Sequence, residues 1–385
     1  MTSVPPIPPS ELSVRVARAT TALGAAGLDG LVLGVPENIH YLSGLDHWGY
    51  FAAHVLILTR DGRMALVARA MERVTVEAQV TNATFYGHPD TEELSDHVHT
   101  ALRDLGLTRA RLGIELRSLF LTPWHADKIR AGLAVEWVDG SGLIDDLRQI
   151  KSDWEIACTR EAARAADLAT LAATRVIRPG VSDREVAAEY HRVMILEGSE
   201  YPGFGPFIRP TRRLGEEHTT WQGDTLRHGD AVFLETCASV RRYHAPMGRL
   251  VYVGQAPEGA AKSAAISIEA MDAICDAIRP GATAGEAYAA WHRVAAAHGL
   301  ADYHRHHCGY LVGLAFPPSW TGGSAVTGLA PGSTRVLHPG MVFHVHAWFM
   351  GTALTDYFIS NAVVLTKTGA EVLTSRTPQD LVLCG

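Results

Sequence analysis

The sequence predicts two folded units, an α/β domain at the N-terminus and a larger domain that mixes long helices with strands. Three observations predict this. The chain has 385 residues, and one domain takes roughly 150. Up to about Leu147, apolar runs of strand length alternate with helical patterns. Beyond Leu147 a much longer helical pattern opens a region of helix pairs and strand pairs. Hydrophobic residues make up 47% and charged residues 19%, enough apolar material for a core and too little charge for a disordered chain.

The elements follow in order. From Glu11 to about Gly27, Val14, Val16, Ala17, Leu23 and Ala26 recur at three- and four-residue spacing, a helical period. Leu28 to Gly34 reads as a buried strand, and His54 to Arg69 as two strands joined at Asp61-Gly62, a hairpin signal. Ala110 to Leu116 is another strand, which puts the domain limits at 1–146 and 147–385. Leu147 to Ile177 reads as one long amphipathic helix, started near Ser152 and stopped by Arg178-Pro179-Gly180. Ser182 and Glu185 form a capping signature for the next helix. Strand-like runs then fill Asp230 to Val253, a helix pair spans Ala260 to Ile278 and Ala284 to Gly299, and two strand runs close the chain.

Composition excludes several classes. Lys plus Arg number 34 against Asp plus Glu 41, a net charge of -7, which gives no electrostatic reason to bind nucleic acid. The five cysteines are scattered and form no CxxC pair, so neither a disulfide framework nor a structural zinc site is expected, and reduced thiols point to the cytoplasm. The Pro-rich start lacks the basic and apolar regions of a signal peptide. No window approaches 18 uninterrupted apolar residues, so no membrane span is expected. The unusual count is 19 histidines, eleven of them from His218 to His346. Imidazole is both a proton carrier near neutral pH and a common metal ligand.

The segments PENIHYLSGL, LRQIKSDWEIACTREAARAAD, HGDAVFLE, RYHAPMGRLVYVG, HPGMVFHV and VVLTKTGAEVLT resemble, in order and approximate spacing, those of the creatinase/prolidase (M24) family. The resemblance implies an α/β N-terminal domain followed by an α+β pita-bread catalytic domain, and a homodimer. Most such proteins are metallopeptidases whose two metals are held by two Asp, one His and two Glu. In this sequence those positions fall on Glu235, Pro246, Tyr310, His346 and, for the last, near Ser360. One Glu and one His cannot supply the bridging anionic oxygens of a dinuclear centre. The chain is therefore most similar to the metal-free branch, and its local motifs HTTW, RRYHAPMGR and GYLVGLAFPPSW resemble those of ectoine hydrolases. In creatinase a glutamate precedes the arginine of the second strand; Gly248 stands there in this sequence.

By this resemblance the chain is expected to hydrolyse a non-peptide C–N bond of a small molecule, such as a cyclic amidine, with no metal and no cofactor. His218 takes the place of the family's active-site histidine, and one imidazole can both accept and donate a proton. Glu235 lies in an apolar strand, where a carboxylate is costly unless it is used or paired. It is a candidate base or acceptor for a substrate nitrogen, or else a salt-bridge partner of Arg241 or Arg242. His344 and His346 share one strand face, with His346 in a catalytic role and His344 lining the pocket; with Glu235 they also offer a mononuclear metal site. Tyr243 is a candidate oxyanion donor and Arg249 a carboxylate clamp, while His244, Tyr310 and Trp320 are candidate pocket walls, the aromatics suiting a cationic ring. His304, His306 and His307 read as a solvated turn, and Cys237 and Cys308 as packing. Three alternatives stay open: a metal-dependent Xaa-Pro dipeptidase, a catalytically inactive binding protein, and a lyase or cyclase on the same scaffold.

Overall fold

A computed structural model describes residues 4–322 and 326–385. The chain divides into two compact units, one spanning Pro6–Arg148 and the other Gln149–Gly385 together with residues 4–5.

The first unit holds α1 (Pro9–Ala25), β1 (Gly30–Leu33), α2 (Pro36–Ser43), β2 (Val55–Thr59), β3 (Met64–Arg69), α3 (Arg73–Gln79), β4 (Thr84–His88), α4 (Leu94–Asp104), β5 (Arg111–Ile114), α5 (Pro123–Arg130), β6 (Glu136–Asp139) and α6 (Leu143–Arg148). Its sheet runs β4-β3-β2-β1-β5-β6, antiparallel in the centre and parallel at both flanks. The Asp61-Gly62 signal is realised as the β2–β3 hairpin, with Gly62 at φ 90, a conformation open to glycine.

The second unit begins with α7 (Asp153–Val176) and α8 (Asp183–Leu196). The sequence reads as one helix from Leu147 onward, but Leu147 and Arg148 end α6. Ser152 breaks the run because its hydroxyl caps Glu155 N–H while Glu155 caps Ser152 N–H, so a helix starts there and none passes through. Ser182 and Glu185 start α8 by the same reciprocal bonds. Then come β7 (Phe207–Pro210), β8 (Ala231–Val240), β9 (Tyr243–Val253), α9 (Ala260–Ala277), α10 (Ala284–Ala297), β10 (Gly309–Leu311), β11 (Val342–Phe349), β12 (Tyr357–Leu365), β13 (Ala370–Val372) and β14 (Leu383–Cys384).

Their sheet runs β10-β11-β12-β9-β8-β7, with β13 on β12 and β14 on β9. Ala165, Ala166, Ala169 and Ala173 of α7 pack with Val232, Leu234, Met247 and Val251, and these small residues let the helix lie close to one face of the sheet. Glu235 and its row neighbours occupy the alternate positions and so face the other way. Val240 pairs with Tyr243, leaving a two-residue turn whose Arg241 and Arg242 have φ 52 and 67. Such a turn needs two left-handed residues and favours Asn-Gly. Here Glu200 holds it, accepting Arg242 N–H at 3.0 Å, and the Arg242 guanidinium lies 3.8 Å over the Tyr201 ring. Among the described residues, no helix is long and apolar enough to cross a membrane.

Candidate active site

Antiparallel pairing builds one row of side chains across four strands. Glu235 on β8 is opposite Gly248 on β9, Gly248 is opposite Ser360 on β12, and Ser360 is opposite His346 on β11. Register partners share a face. His344 stands two residues from His346 on the same face, and Tyr310 of β10 is its register partner.

A hydrogen-bond chain fixes these groups. Trp320 Nε1 donates to the Tyr310 hydroxyl at 2.9 Å, and that hydroxyl lies 3.0 Å from His344 Nδ1. The other ring nitrogen of His344, Nε2, lies 2.7 Å from Ser360 Oγ, so both nitrogens of the ring are hydrogen-bonded. His346 Nε2 also approaches His344 Nδ1, at 2.9 Å. Burial holds His344 well below the ordinary histidine range, and His346 likewise, with neighbouring His344 and His307 adding to the effect. Both rings are neutral at physiological pH.

Glu235 is the cluster's carboxyl. Its oxygen lies 4.0 Å from His344 Nε2, and its side chain is 13% exposed. It makes no hydrogen bond among the described residues. Burial pushes it up to about 7; Arg209 and Arg305 pull it down and Glu217 adds to the rise. A carboxyl titrating near neutrality is suited to both taking and giving a proton. Donor atoms of Glu235, His344 and His346 all lie within 4.8 Å of one another. Gly248 clears the floor between Glu235 and Ser360: a Cβ there would stand 2.2 Å from the Phe358 ring and 2.8 Å from Ser360 Oγ. A glutamate at this place would not fit without displacing Phe358.

His218 does not join this cluster. It lies on an exposed loop at φ 54, with its ring edge-on to Phe207 at 5.9 Å. Phe207 is the register partner of Glu235, so His218 stands above an aromatic rim formed by Phe207, Phe204 and Trp320, whose rings meet at 4.6 to 5.7 Å. The Glu216 carboxylate is turned to Arg213 and Thr219.

Three other candidates are also kept away. The Tyr243 hydroxyl donates to Glu155 at 2.6 Å, on the α7 face of the sheet. His244 is fully buried, with Nδ1 3.0 Å from the Arg242 carbonyl and Nε2 accepting Gly203 N–H at 2.8 Å. Burial lowers its pKa to about 4, so it is a neutral brace for the loop. Arg249 donates to the carbonyls of Gly248, Ser360, Thr377 and Pro378 and to Asn361 Oδ1. No donor is left for a substrate carboxylate, and burial lowers it to about 10. The Cys237 and Cys308 thiols are buried and pushed up, away from a reactive thiolate.

Three groups near the cluster escape sequence reading. Arg209 and Arg305 act on Glu235 by charge. His307 is half-buried, with its ring 5.8 Å from that of His346 and Nδ1 buried without a partner among the described residues; it leaves the solvated turn that the sequence suggests. Of its neighbours, His304 is exposed and stacks on His292 at 4.7 Å. The one available signal for Arg209 was its place two residues from Phe207 on a short apolar strand.

The family model for metallopeptidase family M24 matches residues 157–367, and the creatinase/prolidase N-terminal domain matches residues 15–150. The chain belongs to metallopeptidase family M24. An uncharacterized hydrolase/peptidase of Sinorhizobium fredii is 30% identical to this M24 chain over 97% of each protein. The ectoine hydrolase of Halomonas elongata is 26% identical over 96% of each. The Xaa-Pro dipeptidase from Bacillus anthracis superposes with a TM-score of 0.84 at 25% identity, covering 97% of this chain and 99% of that one. The two-domain creatinase/M24 pita-bread architecture expected from the sequence is thus the one observed, and the chain is an M24 hydrolase.

The M24 resemblance assigns two metals to the positions of Glu235, Pro246, Tyr310, His346 and Ser360. Pro246 has no donor, the Tyr310 oxygen is taken by an indole N–H, and Ser360 is bonded to His344. One carboxylate cannot bridge and neutralise two divalent cations. The donor set does not fit a dinuclear centre.

Proposed function

We propose that this M24 hydrolase cleaves a non-peptide C–N bond in a small molecule, a cyclic amidine or related group, by proton transfer without a metal. The observation that carries the reading is Glu235: one carboxyl, pushed up to about 7, facing neutral imidazoles where a dinuclear site would need further anionic ligands. As carboxylate, Glu235 takes a proton from water while the water oxygen adds to the amidine carbon. As acid, it can return that proton to the departing nitrogen, so one group serves both halves. His218, on the loop above Phe207, is the second proton carrier: it passes the adduct's hydroxyl proton to the leaving nitrogen as the C=O bond forms and the C–N bond breaks. Tyr310, Trp320 and Phe207 supply an aromatic wall for a cationic ring. The likeness to ectoine hydrolase over almost the whole chain supports a substrate of this kind.

The test combines elemental analysis of the purified protein with turnover of cyclic amidines, guanidines and Xaa-Pro dipeptides. Turnover of an amidine by metal-free protein, abolished in Glu235→Gln and strongly reduced in His218→Ala, is the expected result. Two tightly bound metals per chain with dipeptide turnover would establish the dipeptidase instead. One essential metal per chain, lost with His346→Ala, would assign Glu235, His344 and His346 as its ligands and overturn metal independence.

A further inference from the structure

We propose that Arg209, assisted by Arg305, forms an anion subsite that holds a carboxylate of the substrate beside Glu235. Arg209 is 1% exposed, yet its guanidinium makes no hydrogen bond or ion pair among the described residues, and its Nε and Nη1 are buried without partners. It lies instead on the face of Phe233, 4.4 Å from the ring centroid. Arg305 repeats the arrangement: its guanidinium lies 4.3 Å over Trp348, with Nε buried and unpartnered among the described residues. The two rings belong to one cluster, Phe233 and Trp348 at 5.8 Å, each 4.9 Å from Phe358, which reaches His346 at 6.1 Å. Phe233 is the register partner of Arg209, as Glu235 is of Phe207. Arg209 and Glu235 therefore project from the same face of the sheet on adjacent strands, in side-chain rows roughly 7 Å apart along the backbone.

Glu217, Glu235 and Glu216 act on Arg209 by charge, but among the described residues none is bonded to it, and a buried guanidinium without a hydrogen-bonded anion is strongly unfavourable. Within the fold, the contrast with Arg249 is direct: Arg249 is as buried but saturated by carbonyls, whereas Arg209 keeps its planar fork open. That fork matches a carboxylate through two parallel N–H···O bonds. The step between Arg209 and Glu235 suits a small zwitterion, with its carboxylate on the guanidinium and its amidine nitrogen at the carboxyl. This substrate class rests on the hydrolase reading above, but binding can be measured without turnover.

The experiment measures calorimetric affinity and thermal stability for wild type, Arg209→Met and Glu217→Gln. The probes are a cyclic amidine carboxylate, its primary carboxamide, acetate and inorganic phosphate. The proposal expects the carboxylate to bind wild type about tenfold or more tightly than the carboxamide, and Arg209→Met to erase that preference. It also expects ligand-free Arg209→Met to melt at or above the wild-type temperature, since an apolar side chain replaces a buried guanidinium that lacks hydrogen-bond partners among the described residues. Equal binding of carboxylate and carboxamide to wild type overturns it, as does a preference for phosphate alone. A lower melting temperature in Arg209→Met, reproduced by Glu217→Gln, would assign Arg209 to a structural ion pair and overturn it too. Carboxylate selectivity without turnover of any amidine would leave the subsite standing and refute the hydrolase reading.

Discussion

Replacing Glu235 by Gln keeps the shape of the side chain and removes its titration. The carboxyl goes from an ordinary 4.5 to about 7 in the folded protein. At roughly 1.4 kcal/mol for each factor of ten, ionising it in the folded state costs about 3 kcal/mol more than in the unfolded chain. Below pH 4.5 both states hold the proton and the cost is absent. Between 4.5 and 7 the folded state binds more protons, so stability falls as pH rises, and above 7 the loss is complete. Urea denaturation of wild type and Glu235→Gln at pH 5 and pH 8 isolates this effect, because the other titrating groups are common to both proteins. The variant should gain about 2 kcal/mol or more on wild type between the two pH values. It should also lose turnover at every pH, while wild-type kcat/KM rises with pH through about 7 as the carboxylate forms. Parallel stability profiles for the two proteins would show that Glu235 ionises like an exposed carboxylate, and would remove the basis for its role.

Two further substitutions test the frame around it. Arg249→Met strips a donor from four carbonyls and Asn361, and should cost about 3 kcal/mol or more in urea denaturation, with substrate KM little changed in the folded variant. A large rise in KM with little stability loss would return Arg249 to substrate binding. Gly248→Ala drives a methyl against Phe358 and Ser360 and should cost about 1–3 kcal/mol, read as a lowered melting temperature; an unchanged melt would mean that the Phe358 ring yields freely.

Most of the frame was legible in the residues. The capping boxes at Ser152 and Ser182, the hairpin at Asp61-Gly62 and the period-2 placement of His344 and His346 are local signals, and local geometry realises them. Glu235 stands out in the sequence because a lone acid in an apolar strand needs a reason. Tyr243, His244 and Arg249 were harder. They lie within seven residues on one strand, but Tyr243 and Arg249 face away from Glu235, and His244 is spent on backbone groups. Which side chains are consumed by distant carbonyls, as Arg249 is by residues 377 and 378, depends on contacts across more than a hundred positions. Arg209 was obscured for the converse reason: its importance lies in the partners it lacks, which no spacing records.

The row from Glu235 through Gly248 and Ser360 to His346 also bears on how such a protein changes its trade. The backbone ladder fixes where each Cβ stands and does not depend on what the side chain carries, so the sheet works like a pegboard. A glycine, a serine or an imidazole can replace a carboxylate at one hole without disturbing the next strand, provided the strand does not slip. A slip by a single residue would turn a whole strand's pegs to the α7 face. New chemistry is therefore reached by exchanging pegs one at a time, while insertions within these strands are closed to it.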